Sequence, residues 1–259
     1  MSQSAKRSLG QNFLVDETVV NRIVGSLDLS PDDLVIEIGP GLGALTSPLI
    51  ERAGRVIAIE FDRDLVGRLQ HQFADFNTFE LFNLDALSVD FSSLINGQTA
   101  KLVANLPYNI STPILQRLMG QRHLFSELVL MFQREVVARI TAPPGGKERG
   151  FLSVLVENAF DTERLFDVPP EAFRPRPKVW SSVVRLTPKA STIFNEPLFR
   201  RIASMSFASK RKTLLNNLKP SLPEAKDILE RAEIDPNRRA ETLSLAEWRN
   251  LTKVFPASG

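Results

Sequence analysis

A chain of 259 residues that is 43% hydrophobic and 24% charged has the composition of a folded, soluble protein, with length for a full core and a smaller second unit. No apolar run approaches the roughly 20 residues of a membrane span, and MSQSAKRSLGQNF lacks the apolar stretch of a secretion signal, so the expected location is the cytoplasm. The absence of cysteine excludes disulfides, thiolate metal sites and a cysteine nucleophile, the net charge is a bland +2, and the only histidines, His71 and His123, have no metal-ligand spacing, so no metal is expected.

The stretch DETVVNRIVGSLDL sets Val19, Val20, Ile23, Val24 and Leu27 at helical spacing behind Asp16, a natural N-cap. Then the period changes. DLVIEIG and RVIAIEF are short Val- and Ile-rich runs separated by a glycine turn and an apolar segment of helix length, the pattern of a βαβ unit. TFELF, KLVAN and, after another helical stretch, ELVLMF continue the alternation. Such a series predicts an α/β fold: a parallel sheet covered on both faces, with ligands outside the carboxyl ends of its strands.

TAPPGGKERG is polar and rich in glycine and proline, and reads as a mobile loop. FLSVLVENAF follows as a helix, and RLFDVP and VWSSVVRL as a closing pair of strands linked by PPEAFRPRPK. TPKASTIFNEP is the candidate linker, which divides the chain into domains 1–188 and 189–259. Beyond it only helical periodicity remains, in LFRRIASMSF, RKTLLNNL, EAKDILERAEI and SLAEWRNLTKVF. Residues 190–259 carry 12 Lys and Arg against 8 Asp and Glu, while residues 1–189 carry 20 against 22. That balance suits a module binding nucleic acid, and equally the solvated faces of helices.

EIGPGLGALT contains Gly39-x-Gly41-x-x-Ala44, a turn in which glycine lets backbone approach a ligand where a Cβ would collide. Glu60 ends the second strand run, where a carboxylate can accept hydrogen bonds from both hydroxyls of a ribose, and Asp85 follows the third, within reach of an adenine amino group. Together they describe a nucleoside site, shared by dinucleotides and by S-adenosylmethionine. The choice between them rests on the fourth strand run, which ends in Asn105-Leu106-Pro107-Tyr108 and carries the only tyrosine of the chain.

An aromatic amine is a poor nucleophile because its lone pair is delocalised into the ring. To be methylated it must be held with the lone pair toward the donor and its hydrogens on acceptors. Asn105 offers its side-chain oxygen. Pro107 biases Leu106 toward extended backbone, which directs the Leu106 carbonyl as a second acceptor. Tyr108 can stack on the base. Such a site works by orientation and by favouring charge that develops on nitrogen, without a covalent intermediate.

Glu37–Thr46, Glu60, Asp85 and Asn105–Tyr108 resemble, in order and spacing, the adenine-N6 rRNA dimethyltransferases of the KsgA type, which modify the small ribosomal subunit. The similarity extends through KRSLGQNFL, FQREVVARI, AFRPRPKVWSSVVRL, KRKTLLNNL and RRAETLSLAEW, almost the whole chain. It implies a Rossmann-like class I methyltransferase with a mainly parallel seven-stranded sheet, its last strand antiparallel, and a small all-α C-terminal domain. It further implies S-adenosylmethionine as donor and, as substrate, two adjacent adenosines in the 3′-terminal hairpin of 16S rRNA, within the small subunit or its assembly intermediate. Carried over by position, Asn12, Leu14, Gly39, Gly41, Glu60, Asp85 and Asn105 become expected cofactor contacts. Asn105, Leu106, Pro107 and Tyr108 become the amine-binding and base-stacking group, with Phe173 as a candidate second stacking face. Lys210, Arg211, Lys212, Arg238 and Arg239 are the expected phosphate contacts of the basic helices.

Four positions depart from the common pattern: Leu84 for a usual glycine, Arg149 for a frequent tyrosine, Glu157 for a frequent glutamine, and Trp180 for a small or polar residue. Arg149 and Trp180 are candidates for altered RNA contacts. Other readings stay open at this level: a large-subunit rRNA adenine-N6 methyltransferase conferring antibiotic resistance, a non-catalytic RNA-binding assembly factor, and a nicotinamide-dependent oxidoreductase. Nothing in the chain demands more than a monomer.

Overall fold

The computed structural model describes residues 11–190, 193 and 195–255; the KRSLG part of the N-terminal motif and part of the expected linker lie outside them. In chain order the elements are β1 (Phe13–Leu14), α1 (Glu17–Gly25), β2 (Leu34–Ile38), α2 (Thr46–Ile50), β3 (Arg55–Glu60), α3 (Arg63–Gln72) and β4 (Phe79–Asn83). There follow α4 (Ser92–Ile95), β5 (Ala100–Asn105), α5 (Ser111–Gly120), β6 (Phe125–Gln133), α6 (Arg134–Ile140), α7 (Phe151–Ala159), β7 (Phe160–Val168), β8 (Phe173–Arg174) and β9 (Ser181–Pro188). Four helices end the chain: α8 (Glu196–Ser206), α9 (Leu214–Leu218), α10 (Ala225–Arg231) and α11 (Leu245–Val254).

Seven strands form one sheet in the order β4-β3-β2-β5-β6-β9-β7. The strands β2 to β6 pair in parallel, and β9 runs antiparallel to β6, as the expected class I methyltransferase architecture requires. Every residue of β2 is buried, which is why its sequence is a continuous apolar run interrupted only by Glu37; β4, at the sheet edge, is only half-buried. Asp16 caps α1 as its sequence predicts, accepting from the backbone N–H groups of Thr18 and Val19 at 2.9 and 3.2 Å. The inward face of α1 joins Leu45, Leu49, Leu69, Val103 and Phe173 in one apolar cluster.

The described residues fall into two compact units. One holds the residues up to Val137 together with Thr162–Pro188, and the other holds Ala138–Asp161 together with the residues from Lys189 onward. A seam at 188/189 thus coincides with the linker, but residues 138–161, which the sequence reading left with the first domain, pack with the C-terminal helices. The cause is α7, an apolar helix whose buried side chains lie against α8 and α11. The centre of this second unit is Trp248, fully buried, with Phe199 edge-on at 6.2 Å and Phe207 stacked at 5.9 Å.

Candidate active site

Parallel strands deliver their carboxyl ends to one edge of the sheet, and there the first unit carries a cavity of about 280 Å³. Asn12, Leu14, Gly39, Gly41, Glu60, Asp85, Asn105, Leu106, Pro107, Tyr108 and Phe173, drawn from six separate segments of sequence, all line it.

The glycine turn leaves β2 with φ of +70° at Gly39, +60° at Gly41 and +85° at Gly43, a left-handed path that side chains resist. A Cβ on Gly41 would stand 3.1 Å from the ring of Phe13. The turn is tied to β3 by a 2.9 Å bond from Gly39 N–H to the Ile59 carbonyl. The helix that follows, α2, has only five residues, so a helix-terminal anion site does not form here.

Glu60 is buried at the end of β3, and each of its oxygens accepts a backbone N–H, from Gly41 at 3.2 Å and from Asp62 at 2.9 Å. Burial raises its pKa, and these hydrogen bonds oppose the rise. Asn83 donates to the carbonyls of Glu60 and Phe61 at 2.8 and 3.1 Å, fastening the end of β4 to that of β3 and so placing Asp85. One oxygen of exposed Asp85 accepts from Leu87 N–H at 2.9 Å. Phe61, 61% exposed on the cavity rim, was missed by sequence reasoning, although its position directly after Glu60 was the available signal.

Glu37, on which the glycine motif opens, is a cavity-lining carboxyl in full burial. Oε2 accepts from Thr46 Oγ1 at 2.6 Å, and Oε1 has no hydrogen-bond partner among the described residues. Burial above all, with the charge of Glu60 adding to it, pushes its pKa from 4.5 up to about 8. A carboxyl raised in this way contributes stability that is complete below the unfolded value of 4.5 and lost as pH rises through about 8. Urea midpoints should therefore fall more steeply for the native chain than for Glu37→Gln between about pH 5 and about pH 9. Equal slopes would show that Glu37 does not titrate in this range.

The fourth strand run ends as expected, with Asn105 the last residue of β5. Asn105 makes no side-chain hydrogen bond to the described residues, so its amide is free to serve a ligand. Pro107 is extended, at φ −54° and ψ 137°, and its own carbonyl accepts from Ile110 N–H at 3.2 Å. Tyr108 is half-buried and its hydroxyl lies 2.9 Å from Ser181 Oγ, which fixes the ring against the start of β9. Phe173 is 1% exposed and packs in the apolar cluster, paired across the two-stranded β1–β8 ribbon with Leu14. It forms wall, and a stacking role would require it to leave that cluster.

Of the basic residues in the second unit, Lys210, Arg211, Lys212 and Arg239 are exposed. Arg238 is not free: its guanidinium pairs with Glu247 and donates to the Thr242 carbonyl at 2.8 Å and to Thr242 Oγ1 at 3.2 Å. The Arg238 bonds hold the Glu247 carboxyl down at a pKa of about 2, and Glu247 in turn closes the capping box of α11 with Ser244. The expected RNA role of Arg149 also meets a different arrangement. Arg149 is 1% exposed and pairs with Glu157 at 2.5 Å, while donating to the carbonyls of Ala142 and Leu243 at 2.9 and 3.1 Å. Two departures from the family pattern are thus a single ion pair, which also anchors the loop read as mobile.

A model of the family described as ribosomal RNA adenine dimethylase matches residues 2–256. The chain belongs to this family. Among relatives of the dimethylase, a ribosomal RNA small subunit methyltransferase A from Clostridium botulinum (strain Loch Maree / Type A3) is 46% identical over 253 residues, covering 95% of this chain and 92% of its own. The protein of the same name from Syntrophotalea carbinolica is 45% identical over 261 residues, 98% of each chain. Among solved structures, a dimethyladenosine transferase from Plasmodium falciparum superposes with a TM-score of 0.82 at 27% identity, over 92% of this chain and 95% of that one. Members of such a family need a cavity at the strand ends, and this one is lined by Glu60, Asp85 and Asn105.

Proposed function

We propose that this dimethylase converts the N6 amines of two adjacent adenosines in the 3′-terminal hairpin loop of 16S rRNA to dimethylamines, with S-adenosylmethionine as donor. The carrying observation is the charge of the cavity. Glu37, Glu60 and Asp85 line it, and no Lys, Arg or His does so among the described residues. A pyrophosphate would find no cationic side chain there, whereas a ligand bearing a sulfonium and an ammonium meets the carboxylates of Glu60 and Asp85, Glu37 being held largely protonated. When bound, that cofactor supplies an electrophilic methyl group on a cationic sulfur.

The protein's part is to bind and orient. Glu60 accepts from the ribose hydroxyls and the remaining Asp85 oxygen from the adenine amine, with Asn12, Leu14, Gly39, Gly41 and Asn105 completing the cofactor contacts. Asn105 Oδ1 and the Leu106 carbonyl take the two hydrogens of the target amine, Pro107 holds that carbonyl in direction, and the Tyr108 ring stacks on the base. After the first transfer one hydrogen remains, so the second transfer depends on a single acceptor and on the stacked ring. Lys210, Arg211, Lys212 and Arg239 contact rRNA phosphates, which makes affinity fall with salt, while Arg238 braces α11.

The substrate is the small subunit or its assembly intermediate, the enzyme acts as a monomer, and its place is the cytoplasm; no helix among the described residues is long and apolar enough to cross a membrane. Labelled S-adenosylmethionine incubated with small subunits lacking the modification should place label in two neighbouring dimethyladenosines near the 3′ end. Label only in large-subunit rRNA, or none, would overturn this reading.

A further inference from the structure

Six large apolar side chains stand exposed among the described residues, and only Val179 and Trp180 are neighbours in sequence. The two tryptophans differ sharply: Trp248 is fully buried in a ring cluster, whereas Trp180 is 44% exposed. An indole left nearly half in water offers ring surface to a partner.

Its position selects the partner. Trp180 immediately precedes β9, whose first residue, Ser181, pairs with Gln133, the last of β6. Because β9 is antiparallel, its start lies at the carboxyl ends of the parallel strands, the edge that also bears Asn105. Ser181 is itself 2.9 Å from the Tyr108 hydroxyl, so Trp180 is one residue from a group touching the amine notch. It is also held in place. Arg134 N–H donates to the Trp180 carbonyl at 2.9 Å, and the Arg134 guanidinium lies 5.8 Å from the ring centroid.

The surroundings are cationic. Arg134, Arg174, Arg176 and Lys178 are all exposed. Of the acids in these segments, Glu171 pairs with Arg176, and Asp167 with Arg164 and Ser182, while also facing Arg134; Glu135, next to Arg134, is exposed. An exposed ring beside a guanidinium, with further exposed cations in the segment that leads to it, suits single-stranded nucleic acid, in which bases stack and phosphates pair.

We infer that Trp180 is a stacking platform for a nucleotide flanking the target adenosine, with Arg134, Arg174 and Lys178 following the adjoining phosphates. This rests on the proposed reaction only for the identity of the RNA. The reporter is built in, because acrylamide-accessible emission comes from Trp180 and not from buried Trp248. Titration with an unmodified 3′-terminal hairpin of small-subunit rRNA should quench that emission and protect it from acrylamide. Trp180→Ala should raise the KM for RNA roughly five- to a hundredfold with kcat and cofactor affinity unchanged, and Trp180→Phe should recover most of the loss. Normal RNA affinity in Trp180→Ala, or continued acrylamide access in the RNA-bound native chain, would overturn the inference. Protection of Trp180 by the hairpin, together with no methyl transfer to small subunits lacking the modification, would support the platform and overturn the proposed reaction instead.

Discussion

Methyl transfer by Asn105→Ala is expected to fall by at least roughly a hundred- to a thousandfold, while S-adenosylmethionine still binds, more weakly, and the fold is unchanged. Asn105 makes no side-chain hydrogen bond to the described residues, so removing it strands no protein group. What is lost is an acceptor for the target amine. The neutral amine in the ground state gains little from that acceptor, whereas the nitrogen that becomes cationic during transfer gains much, so the loss falls on kcat. Cofactor affinity by calorimetry, unfolding by urea, and single-turnover transfer onto unmodified small subunits separate these effects. Full turnover by the variant would remove Asn105 from the mechanism.

The second large effect concerns stability. Glu157→Gln is expected to destabilise the protein by roughly 3–5 kcal/mol, since it leaves a buried guanidinium without its countercharge. Arg149 is deeply buried, while Glu157 is partly exposed, at 1% and 29% of side-chain area. The two losses are therefore unequal: the stranded Arg149 costs more than a stranded Glu157. The double variant Arg149→Tyr with Glu157→Gln installs the uncharged pair frequent in the family and should recover most of the loss. A double-mutant cycle followed by urea unfolding measures the coupling. Additive effects of the two changes would refute the pairing.

Much of the fold was legible because its physics is periodic. Fully covered parallel strands need apolar runs such as LVIEI and RVIAIE, and a sheet of that kind presents its ends to ligands, so Glu60, Asp85 and Asn105 could be placed on one edge from sequence position alone. The ribbon of β1 and β8 was not legible, since two-residue strands have no period, although it brings Leu14 beside Phe173. The helix α3 went unnoticed for a related reason: only Leu65 and Leu69 of its ten residues are buried, too few to draw a stripe. Arg149 and Arg238 misled more seriously. A sequence shows that a residue is cationic but not that a carboxylate eight or nine positions away has claimed it, and both were read as facing RNA. Glu37 inverts that error, for its place inside an apolar run was the sign of a buried acid.

The route of the backbone between the two units has a consequence for how the molecule can be divided. Polypeptide passes from one unit to the other after Val137, after Asp161 and after Pro188, so the halves are interlaced along the sequence and not strung like beads. A ribosome has to finish β9 before the sheet can close, because β9 lies between two strands made earlier. Likewise, cutting the gene after codon 188 would yield no tidy catalytic half. It would release α7 without the terminal helices that cover it, a greasy surface that invites aggregation.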